Sequence, residues 1–268
     1  MQDAVGPITG EEYHERLLLL AKSAAAGFRS LSLAADGGSS EDVGGALCWY
    51  STSYVPVFNG AAILDESLFC PSTINLIERY FRHRGRPYSI MTLDALVPRA
   101  ADMLFPFNYA EYDSMPAMWL EGEQGSEPPA SHEVWVRQVD SLVPLSVFRR
   151  ILSAVFHLSM AEVNLVLGER TLRIEYVRHY LGWLGNTPVG TASLVLSDGV
   201  AGVWNVGTLS EYRHRGVAAT LMHHILSEAR ALGYRHSMLL ASNEGQPLYE
   251  RLGYKTLSHI RVFVPTGG

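Results

Sequence analysis

Three apolar runs, 174–184, 188–197 and 200–208, follow one another with only two or three residues between them. Runs this close pair as neighbours in a sheet, and Ser-Asp-Gly at 197–199 is a hairpin signal. The period then changes. A helix is expected over about 215–232, ending at Gly233, where a missing Cβ permits a left-handed cap. A strand (236–241), a short helix (244–252) closed by Gly253 and a final strand (254–264) complete the segment. Upstream, 133–139 reads as a strand and 144–169 as helix broken near Ser159. Such a succession defines a mixed α/β (α+β) sheet protein.

The first 120 residues repeat the theme. Thr9-Gly10-Glu11-Glu12 reads as a capping box, with Thr9 as N-cap, opening a helix to about Phe28. Residues 35–45 read as loop, and 46–54 and 57–64 as strands joined around Pro56. Helix (72–83), strand (87–92), helix (94–105) and strand (110–120) follow. The polar stretch 121–132, with Gly, Ser and paired prolines, is the best linker. It divides a lobe 1–125 from a lobe 130–268. Helix, strand, helix, strand recurs in both halves with similar lengths. A diverged internal duplication accounts for this, although any α/β chain shares so coarse an order.

Composition narrows the function. With 268 residues, one large core or two modest ones can form. A net charge of −6 argues against a nucleic-acid footprint. The acidic start lacks a signal-peptide pattern, and no uninterrupted apolar run spans a bilayer. Two cysteines, Cys48 and Cys70, imply no disulfide framework, so a cytoplasmic protein without membrane contact is expected.

The tetrapeptide Arg-His-Arg-Gly occurs twice. At 82–85 it closes a helix, where exposed carbonyls repel anions, so this copy is structural. At 213–216 a strand precedes it and a long helix follows. Gly216, Val217, Ala218 and Ala219 then fall on the helix's first turn, where free amides and small side chains suit a diphosphate. Arg213, His214 and Arg215 add charge there. Some thirty residues later comes Ser-Asn-Glu-Gly-Gln-Pro-Leu-Tyr-Glu-Arg-Leu-Gly-Tyr (242–254).

With these two elements the sequence resembles the GNAT superfamily of acyl-CoA-dependent N-acyltransferases, over about 133–264. Arg213, Gly216 and Ala218 match its pyrophosphate-loop motif; 242–254 matches its Asn…Tyr…Leu-Gly-aromatic segment. Residues 1–120 resemble a degenerate second lobe of the same GNAT fold, without the loop, as in two-lobed bacterial members. The resemblance implies acetyl-CoA or another acyl-CoA as co-substrate, without metal, and a small-molecule or peptide amine acceptor, in a monomer or homodimer. It implies that Val206, Gly207 and Thr208 pair with the pantetheine arm, and that residues 214–219 hold the diphosphate. It makes Tyr249 the acid that protonates the departing thiolate. Packing is the competing role for Tyr249, and Asn243 is either a cofactor contact or the N-cap of the short helix. The arginines are either cofactor contacts or solvated charge. The family's strand base is missing, because 199–208 holds no titratable side chain. His157, Glu162, His179 and Tyr180 remain as candidates. Trp49, Trp183 and Trp204, with the segment 51–60, either wall an acceptor pocket or belong to the core. The alternatives to an enzyme are a non-catalytic acyl-CoA sensor and a regulatory or interaction protein.

Overall fold

The structure, a computed structural model, describes residues 10–122 and 133–267. The Thr9 cap and most of the 121–132 linker lie outside them. The strands are β1 (Ser39–Val43), β2 (Ala46–Tyr50), β3 (Gly60–Ile63), β4 (Ser89–Leu93), β5 (Tyr109–Glu121), β6 (Val134–Gln138), β7 (Val177–Leu184), β8 (Thr187–Ser197), β9 (Val200–Thr208), β10 (His236–Leu240) and β11 (Lys255–Pro265). The helices are α1 (Gly10–Ala34), α2 (Pro71–Arg82), α3 (Ala100–Leu104), α4 (Leu142–Phe156), α5 (Met160–Val166), α6 (Val217–Ala231) and α7 (Gln246–Arg251).

All eleven strands join one sheet in the order β1-β2-β3-β4-β11-β5-β10-β9-β8-β7-β6. Read outwards from its centre, the order is twofold. β11 and β5 pair antiparallel, and each also pairs antiparallel with a strand of the other half, β4 and β10 respectively. Beyond them β3–β4 and β9–β10 are parallel, while β1–β2–β3 and β7–β8–β9 are antiparallel. The parallel pairs are bridged by α2 and α6, as a parallel return requires. Each half thus has the same succession and has traded its last strand for its partner's.

The faces are covered unequally. On one, α2 and α3 pack through Ile74, Phe81 and Leu104, and α6 and α7 through Leu221, Ile225 and Tyr249. On the other, α1 crosses the centre, setting Leu17, Leu20 and Phe28 against Trp49, Met91, Trp119, Met238 and Ile260 from both halves. Each such side chain contributes about 1.5–3 kcal/mol on burial. By length and composition alone α1 is apolar enough to cross a membrane, but more than half of that stretch is buried against the sheet. α4 and α5 flank it on the same face over β7.

Four expectations change. Residues 35–45 are not all loop: 39–43 form an edge strand, too polar to read as one, turned back by Gly44 and Gly45 at φ 64° and 85°. The strands 46–54 and 57–64 shorten, because Thr52 at φ 67° and a short 3-10 turn at Pro56–Phe58 take 51–59 off the sheet. α1 runs on to Ala34. The helix 94–105 shrinks to α3, since Pro98 keeps Val97 from a helical conformation and Pro106 follows closely.

Candidate functional site

β9 and β10 pair only from His236↔Val200 to Leu239↔Val203. β10 then leaves, its successor Ala241 donating its amide to Pro116 O (2.9 Å). β9 continues to Thr208 without a partner on that edge among the described residues. The sheet therefore opens into a wedge along 204–208, which includes Val206, Gly207 and Thr208. A bulge starts the wedge. The β8–β9 register slips between Thr191↔Gly207 and Ser193↔Trp204, and Asn205 takes φ 56°, a left-handed conformation uncommon for a residue with a Cβ. Thr191 Oγ1 donates to Asn205 O (2.8 Å), and Asn205 Nδ2 donates to Ser193 Oγ (3.0 Å). The Thr208 hydroxyl is buried without a partner among the described residues.

The wide end of the wedge is the start of α6. His214 and Gly216 sit at φ 61° and 80°, with extended Arg213 before them, so that successive amides turn towards one concavity. Gly216 is the N-cap and offers no side chain, and the amides of Val217, Ala218 and Ala219 have no hydrogen-bond partner among the described residues. Two glycines set this end in place. A Cβ on Gly190 would lie 2.6 Å from Val217 Cγ1, and one on Gly182 3.3 Å from it. Their absence lets the helix sit on β7 and β8, with its mouth at the end of β9. The arginine side chains are exposed and paired at the rim, Arg213 with Glu244 (3.2 Å) and Arg215 with Glu133 (3.5 Å).

Tyr249 stands on α7, 7% exposed within the core beneath α6. A Cβ on Gly245 would come within 2.9 Å of its ring, so that glycine makes room for it. Burial pushes its phenol up to about 12, which keeps it protonated. The segment Leu252-Gly253-Tyr254 anchors this helix. Gly253 turns at φ 92°, Tyr254 N donates to Tyr249 O (3.0 Å), and the Tyr254 and Ser237 hydroxyls share a hydrogen bond (2.7 Å).

Asn243 is exposed and does not cap the short helix, which corrects that alternative. Gly245 holds the N-cap position, and the turn is tied by Ser242, whose carbonyl accepts from Gly245 N (3.0 Å) and Gln246 N (2.9 Å). Of the base candidates, His179 is sealed at 3% exposure between two hydroxyls, with burial pushing it down to about 4, and Tyr180 is fully buried. His157 is exposed at the end of α4. Glu162 on α5 accepts a hydrogen bond from Ser53 Oγ and one from Tyr54 N (3.4 Å), while Phe58 packs beside α4 and α5. The 51–59 segment thus reaches the other half. Trp49 is core; Trp204 is half-buried, edge-on to Phe28 (5.2 Å) and tight against Gly27; Trp183 stacks on Trp135 (4.9 Å). The bulge and the Gly182/Gly190 pair are features of the candidate site that residue patterns missed, the glycine pair being the one readable signal.

A mixed sheet splayed beside an uncapped helix, with the tyrosine-bearing helix after the next strand, is the GNAT acyltransferase fold. Residues 152–254 match the model of the Acetyltransferase (GNAT) family. Among solved structures the chain is similar to a GCN5-related N-acetyltransferase from Kribbella flavida, at 19% identity and TM-score 0.72, over 93% of this chain and 96% of that one. It is also similar to a GCN5-related N-acetyltransferase from Sphaerobacter thermophilus (14% identity, TM-score 0.60, over 82% and 76% of the two chains). A conserved protein of unknown function from Staphylococcus epidermidis is similar as well (12%, 0.59, 87% and 95%). No curated protein matches the sequence.

Proposed function

We propose that the protein is an acyl-CoA-dependent N-acyltransferase that moves an acetyl or related acyl group to an amine of a small molecule or peptide. One observation carries this reading: the wedge between β9 and β10 ends at the unpaired amides of α6. An extended pantetheine arm adds to the free edge at 204–208 as a strand adds to a sheet, and its diphosphate meets donors that nothing else satisfies. The small side chains of Gly216, Ala218 and Ala219 let the phosphates approach, and Arg213 and Arg215 can exchange their rim carboxylates for them.

The amine nitrogen attacks the thioester carbonyl, a C–N bond forms and the C–S bond breaks. Amides at the bulge hold the oxyanion of the tetrahedral intermediate. The Tyr249 hydroxyl donates to the departing sulfur and regains its proton from the product nitrogen through solvent. Where the acceptor arrives as an ammonium, Glu162 and exposed His157 are the groups left to take its extra proton before attack, since His179 and Tyr180 are sealed. The acceptor approaches along the joined surface of α4–α5 and the 51–59 segment, so the N-terminal lobe supplies a wall and the C-terminal lobe the one acyl-CoA site.

Tyr249→Phe tests the enzyme against a sensor. We expect kcat for CoA release with responsive amines to fall about 100-fold while acetyl-CoA affinity stays within two-fold. Equal turnover in the mutant would remove Tyr249 from the mechanism. If wild type binds acetyl-CoA but releases no CoA with any amine, the protein is a sensor.

A further inference from the structure

A continuous polar chain leaves the β9 bulge and ends inside the protein. Asn205 Nδ2 donates to Ser193 Oγ (3.0 Å), Ser193 Oγ lies 2.7 Å from His179 Nδ1, and His179 Nε2 lies 2.7 Å from Thr171 Oγ1. Ser193, His179 and Thr171 are almost wholly buried, at 1%, 3% and 2% exposure. The protons can be placed along it. We place the Ser193 hydroxyl proton towards His179 Nδ1, which puts the ring proton on Nε2, facing Thr171. Burial keeps the ring neutral.

The outer end of this chain is attached to a residue in the left-handed region, inside a strand where the regular conformation is extended. The surroundings of Asn205 hold it there. Its carbonyl is held by Thr191 and its side chain by Ser193. Released, the residue would relax towards regular strand, re-aiming the edge that follows.

We infer that His179 is a positioning residue, which with Ser193 fixes the left-handed turn at Asn205 and thereby aims the free β9 edge at the thioester arm. This rests on the acyl-transfer reading above. It gives the buried histidine a role other than a base and predicts a split between the two ends of the ligand. Ser193→Ala should weaken acetyl-CoA binding about ten-fold, the loss of one well-placed hydrogen bond's worth of aim. It should leave binding of 3′,5′-ADP, which reaches only the α6 mouth, within two-fold. Ser193→Thr should restore acetyl-CoA binding. Asn205→Gly, whose backbone favours positive φ unaided, should lose less affinity than Asn205→Ala.

Two measurements need no ligand. Nitrogen-15 shifts of His179 should report the Nε2–H tautomer in wild type and a mixture in Ser193→Ala, and amide exchange at 205–207 should quicken in that variant. If wild type binds neither acetyl-CoA nor 3′,5′-ADP, the acyl-transfer reading fails and the tautomer and exchange results alone decide the positioning claim. Unchanged exchange in Ser193→Ala, or equal losses of acetyl-CoA and 3′,5′-ADP affinity, overturns it.

Discussion

α2 and α6 occupy equivalent places, each bridging the parallel strand pair of its half, yet they begin in opposite ways. α6 opens on Gly216 in a left-handed conformation, with bare amides behind it. α2 opens on Cys70 and Pro71, so that one amide is missing. The Cys70 thiol sits between the Ser72 and Thr73 hydroxyls. The strands before them differ as well. β9 outruns its parallel pairing to leave a wedge, whereas β3 pairs along its whole length with β4, and Asn59 O accepts from Ser89 N (3.0 Å) just before it. One topology therefore yields an open corner with free amides or a closed one. A few backbone choices decide which: a glycine against a proline, and a bulge against regular strand.

The contrast is sharpest at Gly216. Gly216→Glu places a Cβ on a left-handed residue and a negative charge in the amide mouth. We expect acetyl-CoA affinity to fall by a factor of 100 or more in calorimetry, roughly 3 kcal/mol. An unaltered dissociation constant would mean that the two helix starts do not differ as described.

Acid should separate the halves next. His179 is buried neutral in the C-terminal half, whereas His14 and His83 of the other are exposed. As pH falls through 6.5, the ordinary value, the unfolded chain takes up a proton that the folded histidine refuses until about 4. The stabilisation is complete above 6.5 and is lost towards 4, amounting to about 2 kcal/mol between pH 7 and pH 5. Denaturant titrations at the two pH values should show this loss in wild type and a smaller one in His179→Gln.

Copying the closed corner into the open one gives a milder effect. Ala218→Pro removes one first-turn amide, one position further into the helix than Pro71 in α2, and no intrahelical hydrogen bond is lost. Acetyl-CoA should bind about ten-fold more weakly, with thermal stability little changed. The smallest effect belongs to α2 itself. Bonding to the Ser72 hydroxyl, then to Thr73, brings the Cys70 thiol down to about 7, while burial lifts Cys48 up to about 12. Iodoacetamide near pH 7.5 should label Cys70 alone, seen by intact mass, and leave acetyl-CoA affinity within two-fold. A larger change would make α2 part of the ligand site.

The C-terminal half was the more legible because its local chemistry and global role coincide. Hairpin signals, the glycine before α6 and the Leu252-Gly253-Tyr254 closure each specify a backbone state that the fold uses. Tyr249 and Val217, at the end of the 213–219 loop, share one core cluster. The bulge at Asn205 was not readable, since it depends on side chains from β7 and β8 rather than on its own neighbours. In the N-terminal half, β1 is an edge strand of Ser, Glu and Asp, and its partner fixes it where composition does not. The crossing of β5 and β11 was equally hidden, because pattern shows that a strand forms and not beside which strand it lies.

That crossing has a consequence for how the molecule is made. β11 (Lys255–Pro265) is translated after every other strand, yet it occupies the middle of the sheet between β4 and β5. While a ribosome is still reading the preceding codons, the first half has an unfilled slot where its neighbour belongs. The sheet closes only when that late segment threads home, so assembly waits on long-range contacts and completes both halves in one step.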